Sequence, residues 1–208
     1  MLAAVGVADA PELWTELGFE PSRPGATRIG TVDFELRGPE AGKGLLDWTL
    51  TGVDAPPGPL GLDGLATTVV DAPPDGQPGA HANGVTALDH VVVTTPDLER
   101  TVAALGRVGI HERRRREAGR PGGTSMVQVF FRLGAVILEL VGPGGEPPAE
   151  GGPARLWGLA FNVSDLETTA AHLGPRLRAV TAAVQPGRFI ATLDRDAGSS
   201  VEIAFMST

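Results

Sequence analysis

The chain repeats itself internally, and the repeat carries a carboxylate at the same place each time. Residues 28–39 read RIGTVDFELRGP and residues 132–143 read RLGAVILELVGP, so Arg, Gly, Val, Glu, Leu, Gly and Pro recur in register with Glu35 and Glu139 as counterparts. A second repeat overlaps the first: PDLERTVAALG at 96–106 and SDLETTAAHLG at 164–174 share Asp, Leu, Glu, Thr, Ala, Leu and Gly. Such self-similarity requires one supersecondary unit copied more than once, each copy burying its apolar face against another.

The best-defined copy opens with an apolar, β-branched run at 87–94, which reads as a strand. Pro96-Asp97 then start a helix carried by Leu98, Val102 and Leu105 and ended by Gly106 or Gly109. Extended segments follow at 111–117, 126–133 and 135–142, which gives the order β-α-β-β-β. After a Gly- and Pro-rich loop at 142–153 the last copy repeats that order, with a strand at 156–163, a helix at 165–173 and strands at 178–184, 188–193 and 200–205. The N-terminal copies are eroded. One, at 1–38, has a strand at 3–7, a helix at 11–17 stopped by Gly18, and one or two strands within 27–36. The other, at 44–70, opens with LLDWTLT at 45–51, where Trp48 stands in the place of His90, and its remainder at 62–70 has lost the helix. Residues 71–84, DAPPDGQPGAHANG, are a breaker-rich linker. The expected organisation is therefore a degenerate half at 1–70, the linker, and a complete half at 85–208 built from copies 85–142 and 154–206.

Composition narrows the function classes. Seventeen basic against 25 acidic side chains give a net charge of −8, which repels nucleic-acid phosphates and anionic membranes. The absence of cysteine excludes disulfides, thiolate ligands and a Cys nucleophile, and points to a reducing cytoplasm. Residues 2–7 are apolar but short and lack a basic leader, so they read as a first strand and not as a signal peptide. No stretch approaches the length of a membrane span.

A strand reading LDHVVV at 88–93, then TTPDL opening a helix, then a closing strand VILELV at 136–141, resembles the vicinal oxygen chelate superfamily. Glyoxalase I, fosfomycin and bleomycin resistance proteins, methylmalonyl-CoA epimerase and extradiol dioxygenases belong to it. The resemblance covers residues 85–206 well and the first 70 weakly. It implies an α+β fold in which β-α-β-β-β modules pair into open, cup-shaped mixed sheets, with a His, Gln or Glu on the first and last strands of each module holding a divalent metal. Transferred by position, those ligands fall on His90 and Glu139 in one module. In the next module the first-strand position falls on Gly158, which has no side chain, and the last-strand position on Glu202. Counting from Gly198 as Glu139 counts from Gly134 selects Ile203 instead, and a slip of one residue exchanges the faces.

Glu139 lies between Leu138 and Leu140, where burial is costly unless a cation, a donor or a proton compensates it. Together with His90 and Glu202 it implies a site for zinc, nickel, cobalt, manganese or ferrous iron, with Glu139 also the catalytic group. A cup without metal would bind through its walls instead. Arg113 to Arg116 form the only basic run; Arg114 and Arg116, or Arg113 and Arg115, would face a ligand, or the run guards an edge strand. Phe130 and Arg132 join the candidate ligand contacts. The functions in view are a glyoxalase-like lyase or isomerase for a small oxygenated metabolite, a metal-free protein that sequesters a drug or metabolite, and an extradiol dioxygenase. The last needs two His, and one is placed to serve. The expected partner is a small molecule, for a monomer or a homodimer.

Overall fold

A computed structural model of the protein describes residues 1–118, 125–145 and 151–207. The first copy contains β1 (Leu2–Val7), α1 (Pro11–Glu16), β2 (Pro21–Arg23), β3 (Ala26–Ile29) and β4 (Val32–Leu36). The second contains β5 (Leu45–Thr51), β6 (Gly58–Leu62) and β7 (Leu65–Val70), with no α-helix. The third contains β8 (Val85–Thr94), α2 (Leu98–Gly106), β9 (Arg114–Ala118), β10 (Met126–Leu133) and β11 (Val136–Pro143). The fourth contains β12 (Arg155–Val163), α3 (Leu166–Leu173), β13 (Thr181–Ala182), β14 (Phe189–Thr192) and β15 (Glu202–Ser207). The strands form two mixed sheets of seven and eight strands, an α+β fold of repeated modules.

The helices begin and end where local chemistry dictates. Asp97 caps α2 by accepting the Arg100 N–H at 3.0 Å, and Asp165 caps α3 by accepting the Glu167 N–H at 2.9 Å. Helix α1 has Pro11 in its first turn and ends at Gly18, whose φ of +83° suits glycine. There the Gly18 N–H bonds the Thr15 carbonyl and the Phe19 N–H the Trp14 carbonyl, satisfying the last turn. Three expected strands change. The 27–36 segment is a hairpin, β3 and β4, turning at Gly30, with β2 as an additional partner. Segment 111–117 becomes strand only from Arg114. Segment 178–184 keeps only Thr181–Ala182, because its side chains are exposed almost throughout and no buried face holds it in register. Of the loop expected at 142–153, residues 146–150 lie outside the described ones.

The chain packs into two compact units, each built from separate stretches. One comprises Met1–Ala3, Asp47–Pro73 and His90–Trp157. It contains the strand run β5-β7-β6 and, from His90 onward, the run β8-β11-β10-β9. Trp48, in the His position of its copy, is buried and donates from Nε1 to Thr67 Oγ1 at 2.6 Å. The β6–β7 turn carries Asp63 at φ +52° and Gly64 at φ +88°. Asp63 also receives the Arg100 Nε at 2.6 Å and the Thr101 hydroxyl, which fixes this turn to α2.

The other unit comprises Ala4–Leu46, Pro74–Asp89 and Gly158–Thr208, of which residue 208 is not described. It contains the runs β2-β3-β4-β1 and β13-β14-β15-β12. Its core is an aromatic cluster of Trp14, Phe19, Phe34, Phe161 and Phe205, all fully buried, with ring centroids 4.7 to 6.4 Å apart. Asp9 is buried and accepts from Trp14 Nε1 at 3.1 Å, Ser199 Oγ at 2.7 Å and the Ser200 N–H at 2.8 Å. These bonds tie the start of the chain to its end. Among the described residues no helix is long and apolar enough to cross a membrane.

Candidate ligand site on the polar face of the third copy

Strand pairing sorts the third copy into two faces. In β8, β10 and β11 the side chains of Val91, Val93, Val129, Phe131, Leu133, Leu138 and Leu140 are buried on one of them. On the other, register places Glu139 opposite Phe130, Phe130 opposite Arg114, Gln128 opposite Arg116, and Arg132 beside Ile137, itself level with His90. Alternation therefore puts every candidate of this copy on one half-buried face.

His90 Nε2 lies 3.6 Å from Glu139 Oε2, and the two side chains are 18% and 13% exposed. The separation exceeds a direct hydrogen bond, so one ligand oxygen can bridge both groups. Glu139 does not stand alone. Gln128 Nε2 donates to its Oε1 at 2.5 Å, and Arg116 Nε donates in turn to Gln128 Oε1 at 2.5 Å. The Arg116 guanidinium sits 5.3 Å from the centre of the Phe130 ring, within cation–π range. The result is a row, Arg116–Gln128–Glu139, linked by hydrogen bonds, with His90 beside its last member.

The alternatives left by the arginine run are decided by this register. Arg114 and Arg116 share the face of His90. Arg115 points the other way, to Glu99 on α2 at 2.5 Å and Glu112 at 2.9 Å, and both carboxylates raise the pKa of its guanidinium. The run also lies on an edge strand, as its charge suggested. Arg114 is exposed, and Arg132, also exposed, donates to the Ala135 carbonyl at 3.2 Å, so neither joins the row. Gln128 is the member that the sequence reading missed. Its signal was there: an amide two residues before Phe130 on a strand whose alternation was clear.

Glu202 belongs to the fourth copy, where β12 pairs with β15 so that Gly158 lies opposite Glu202 and Leu159 opposite Ile203. Ile203 is 1% exposed and takes the core face, so the register question resolves with Glu202 on the less buried one. There Arg195 approaches it at 3.9 Å. Gly158 is packed against this strand: a Cβ on it would lie 2.8 Å from the Glu202 carbonyl oxygen. Among the described residues no group of three His, Asp or Glu side chains is gathered to hold a metal ion. Of the expected trio, His90 and Glu139 stand side by side in one compact unit, with Gln128 on the carboxylate, and Glu202 belongs to the other unit. Within that unit His90 and Glu139 alone are one short of the three protein ligands of a catalytic zinc site.

Comparison with known proteins places this site in a family. Residues 89–191 match the Glyoxalase/Bleomycin resistance protein/Dioxygenase superfamily, the segment that carries His90, Arg116, Gln128 and Glu139. Residues 89–191 belong to this superfamily. Among solved structures, a variant of 4-hydroxymandelate synthase from Streptomyces coelicolor aligns over 99% of this chain and 91% of its own, with TM-score 0.70 and 18% identity. That likeness establishes the glyoxalase-type fold along the whole chain. Methylmalonyl-CoA epimerase from Mycobacterium tuberculosis aligns over 60% of this chain and 89% of its own, with TM-score 0.45 and 20% identity. No curated protein matches by sequence.

Proposed function

We propose that this chain binds a small, oxygenated, anionic metabolite on the polar face of the third copy, without a resident metal. The observation that carries the reading is the row Arg116–Gln128–Glu139 with His90 beside it, closed at one end by a guanidinium lying over Phe130. A carboxylate of the ligand docks on the outer edge of Arg116, which is suited to bidentate contact. A hydroxyl or carbonyl oxygen of the same ligand reaches the gap between His90 and Glu139. Catalysis is a second reading, favoured by the 3.6 Å separation, because a His beside a carboxylate can take a proton from a carbon next to a carbonyl.

The test is thermal shift with a panel of 2-oxo and 2-hydroxy carboxylates beside their uncharged esters. Wild type should be stabilised by acids and not by esters, and the shift should vanish in Arg116→Gln and in His90→Ala. Stabilisation that survives both substitutions would place the ligand elsewhere and sink the reading. Solvent deuterium appearing at the carbon next to the carbonyl, in wild type but not in His90→Ala, is the outcome expected if the pair also transfers protons.

A further inference from the structure

We propose that the polar face of the first copy holds a second ligand position, a carboxylate site on Arg28, and that residues 74–80 are a strap that fills it until a ligand displaces them. The register of the first copy runs Arg28 on β3, Asp33 on β4 and Ala4 on β1, matching Arg132, Ile137 and His90 in the third. Arg132 is exposed, whereas Arg28 at the same place is only 7% exposed. The difference is the linker. Residues 74–80 form neither helix nor strand and are themselves exposed, yet they lie across the guanidinium. The Pro74 carbonyl accepts from Arg28 Nη2 at 3.0 Å, and the Gly79 N–H bonds the Arg28 carbonyl at 3.3 Å. Between them Gly76 sits so close that a Cβ on it would meet Arg28 Cδ at 3.1 Å and Nε at 3.2 Å. Beyond the strap the chain is anchored by buried His81 and Asn83, the latter donating to the Leu17 carbonyl at 2.8 Å.

The strap does not satisfy what it covers. Nη1 of Arg28 donates to Asp33 Oδ1 at 2.7 Å, but the buried Nε has no hydrogen-bond partner among the described residues. A buried donor in that state is destabilising, and a better partner removes the penalty. Nε and Nη2 form one edge of the guanidinium, the edge that a carboxylate grips with both oxygens. Here a single carbonyl oxygen takes one donor and the other is idle, so the strap is an incomplete stand-in for a carboxylate. Asp33 already balances the charge of Arg28, so a monoanion fits and a phosphate dianion is repelled. The strap is tethered beside the guanidinium at an effective concentration on the order of millimolar, so a free carboxylate displaces it only above that range. The thermal-shift panel of acids, used below that range, reads Arg116 alone.

The chain has no cysteine, so Gln77→Cys places one fluorescent dye on the strap, and its anisotropy is followed as acetate is added to the full chain. Anisotropy should fall saturably above roughly millimolar acetate as the strap is released. It should stay constant with acetamide, with chloride at the same ionic strength and with inorganic phosphate in its dianionic form. In Arg28→Lys, which keeps the charge and loses the fork, it should start low and ignore acetate. Gly76→Val crowds the strap off and leaves Arg28 in place. Combined with Arg116→Gln, so that the third copy is silent, it should gain melting temperature at acetate concentrations roughly tenfold lower, the worth of one hydrogen bond, and lose that gain when Arg28→Lys is added. A strap signal that ignores acetate, or that answers chloride or phosphate equally, would overturn the inference, and so would a folded Gly76→Val/Arg116→Gln chain that does not respond to acetate. The two sites are read on different arginines, so loss of this one leaves the proposed function standing, and the reverse holds.

Discussion

At the scale of single residues, the absence of a side chain at Gly158 is enforced by its neighbour. A Cβ there would meet the Glu202 carbonyl oxygen at 2.8 Å and Glu202 Cβ at 3.3 Å, so Gly158→Ala should cost roughly 1–3 kcal/mol by overpacking, read from denaturant unfolding. His81 makes a second prediction. It is buried, its Nδ1 accepts the Glu20 N–H at 3.0 Å, and its Nε2 lies 3.2 Å from the Arg28 carbonyl oxygen. Burial pushes its pKa below the ordinary value of 6.5. The folded state then binds fewer protons than the unfolded chain, so its contribution is complete above pH 6.5 and is lost as pH falls from there through the lowered value. Melting temperature should decline across that window in wild type and less steeply in His81→Gln; equal slopes would count against the assignment. Asp165 and Asp194, both lowered from 3.8, act only in more acid solution and do not confuse the comparison. The sequence revealed Glu139 because a charge amid leucines is conspicuous. It concealed Gln128 because an uncharged amide in a strand looks ordinary, and it left the arginine run ambiguous because alternation gives two faces without saying which is which.

At the scale of elements, local signals did most of the work. Asp97 and Asp165 were readable as helix starts, and Asp97→Ala should destabilise the fold by about 1 kcal/mol through loss of the cap on α2, measured by urea denaturation. Strands with a buried face, such as β8, β10 and β11, were legible from their apolar runs. Those held only by neighbours were not. Segment 178–184 has strand-like residues but no buried side, and β2, three exposed residues long, has no pattern of its own and exists because β3 offers an edge to pair with. The β6–β7 turn could be guessed from Asp-Gly, but its second duty, receiving Arg100 and Thr101 on one carboxylate, depends on a helix distant in sequence.

At the scale of the whole molecule, the repeat predicted modules correctly, and the eroded first copy supplies three rings of one unit's aromatic core. Trp14, Phe19 and Phe34 from its elements pack directly on Phe161 and Phe205. A fragment starting at residue 85 would leave those two rings only each other. Truncating a buried aromatic costs about 3–5 kcal/mol, and a domain has only about 5–15 kcal/mol to lose. The fragment should accordingly bind a hydrophobic dye and unfold without a sharp transition, whereas a cooperative melt like that of the full chain would show that the cluster is dispensable.

That cluster, with the Asp9 bonds to Ser199 and Ser200, also sets an order of events during synthesis. The stretch Ala4–Leu46 leaves the ribosome well before Gly158–Thr208, with which it shares its compact unit. At roughly 5–20 residues per second, translating the interval takes on the order of ten seconds. For that time Trp14, Phe19 and Phe34 have no Phe161 or Phe205 to cover them, so the nascent chain carries an aromatic surface, open to chaperone capture, that closes only when residues more than a hundred positions downstream have emerged.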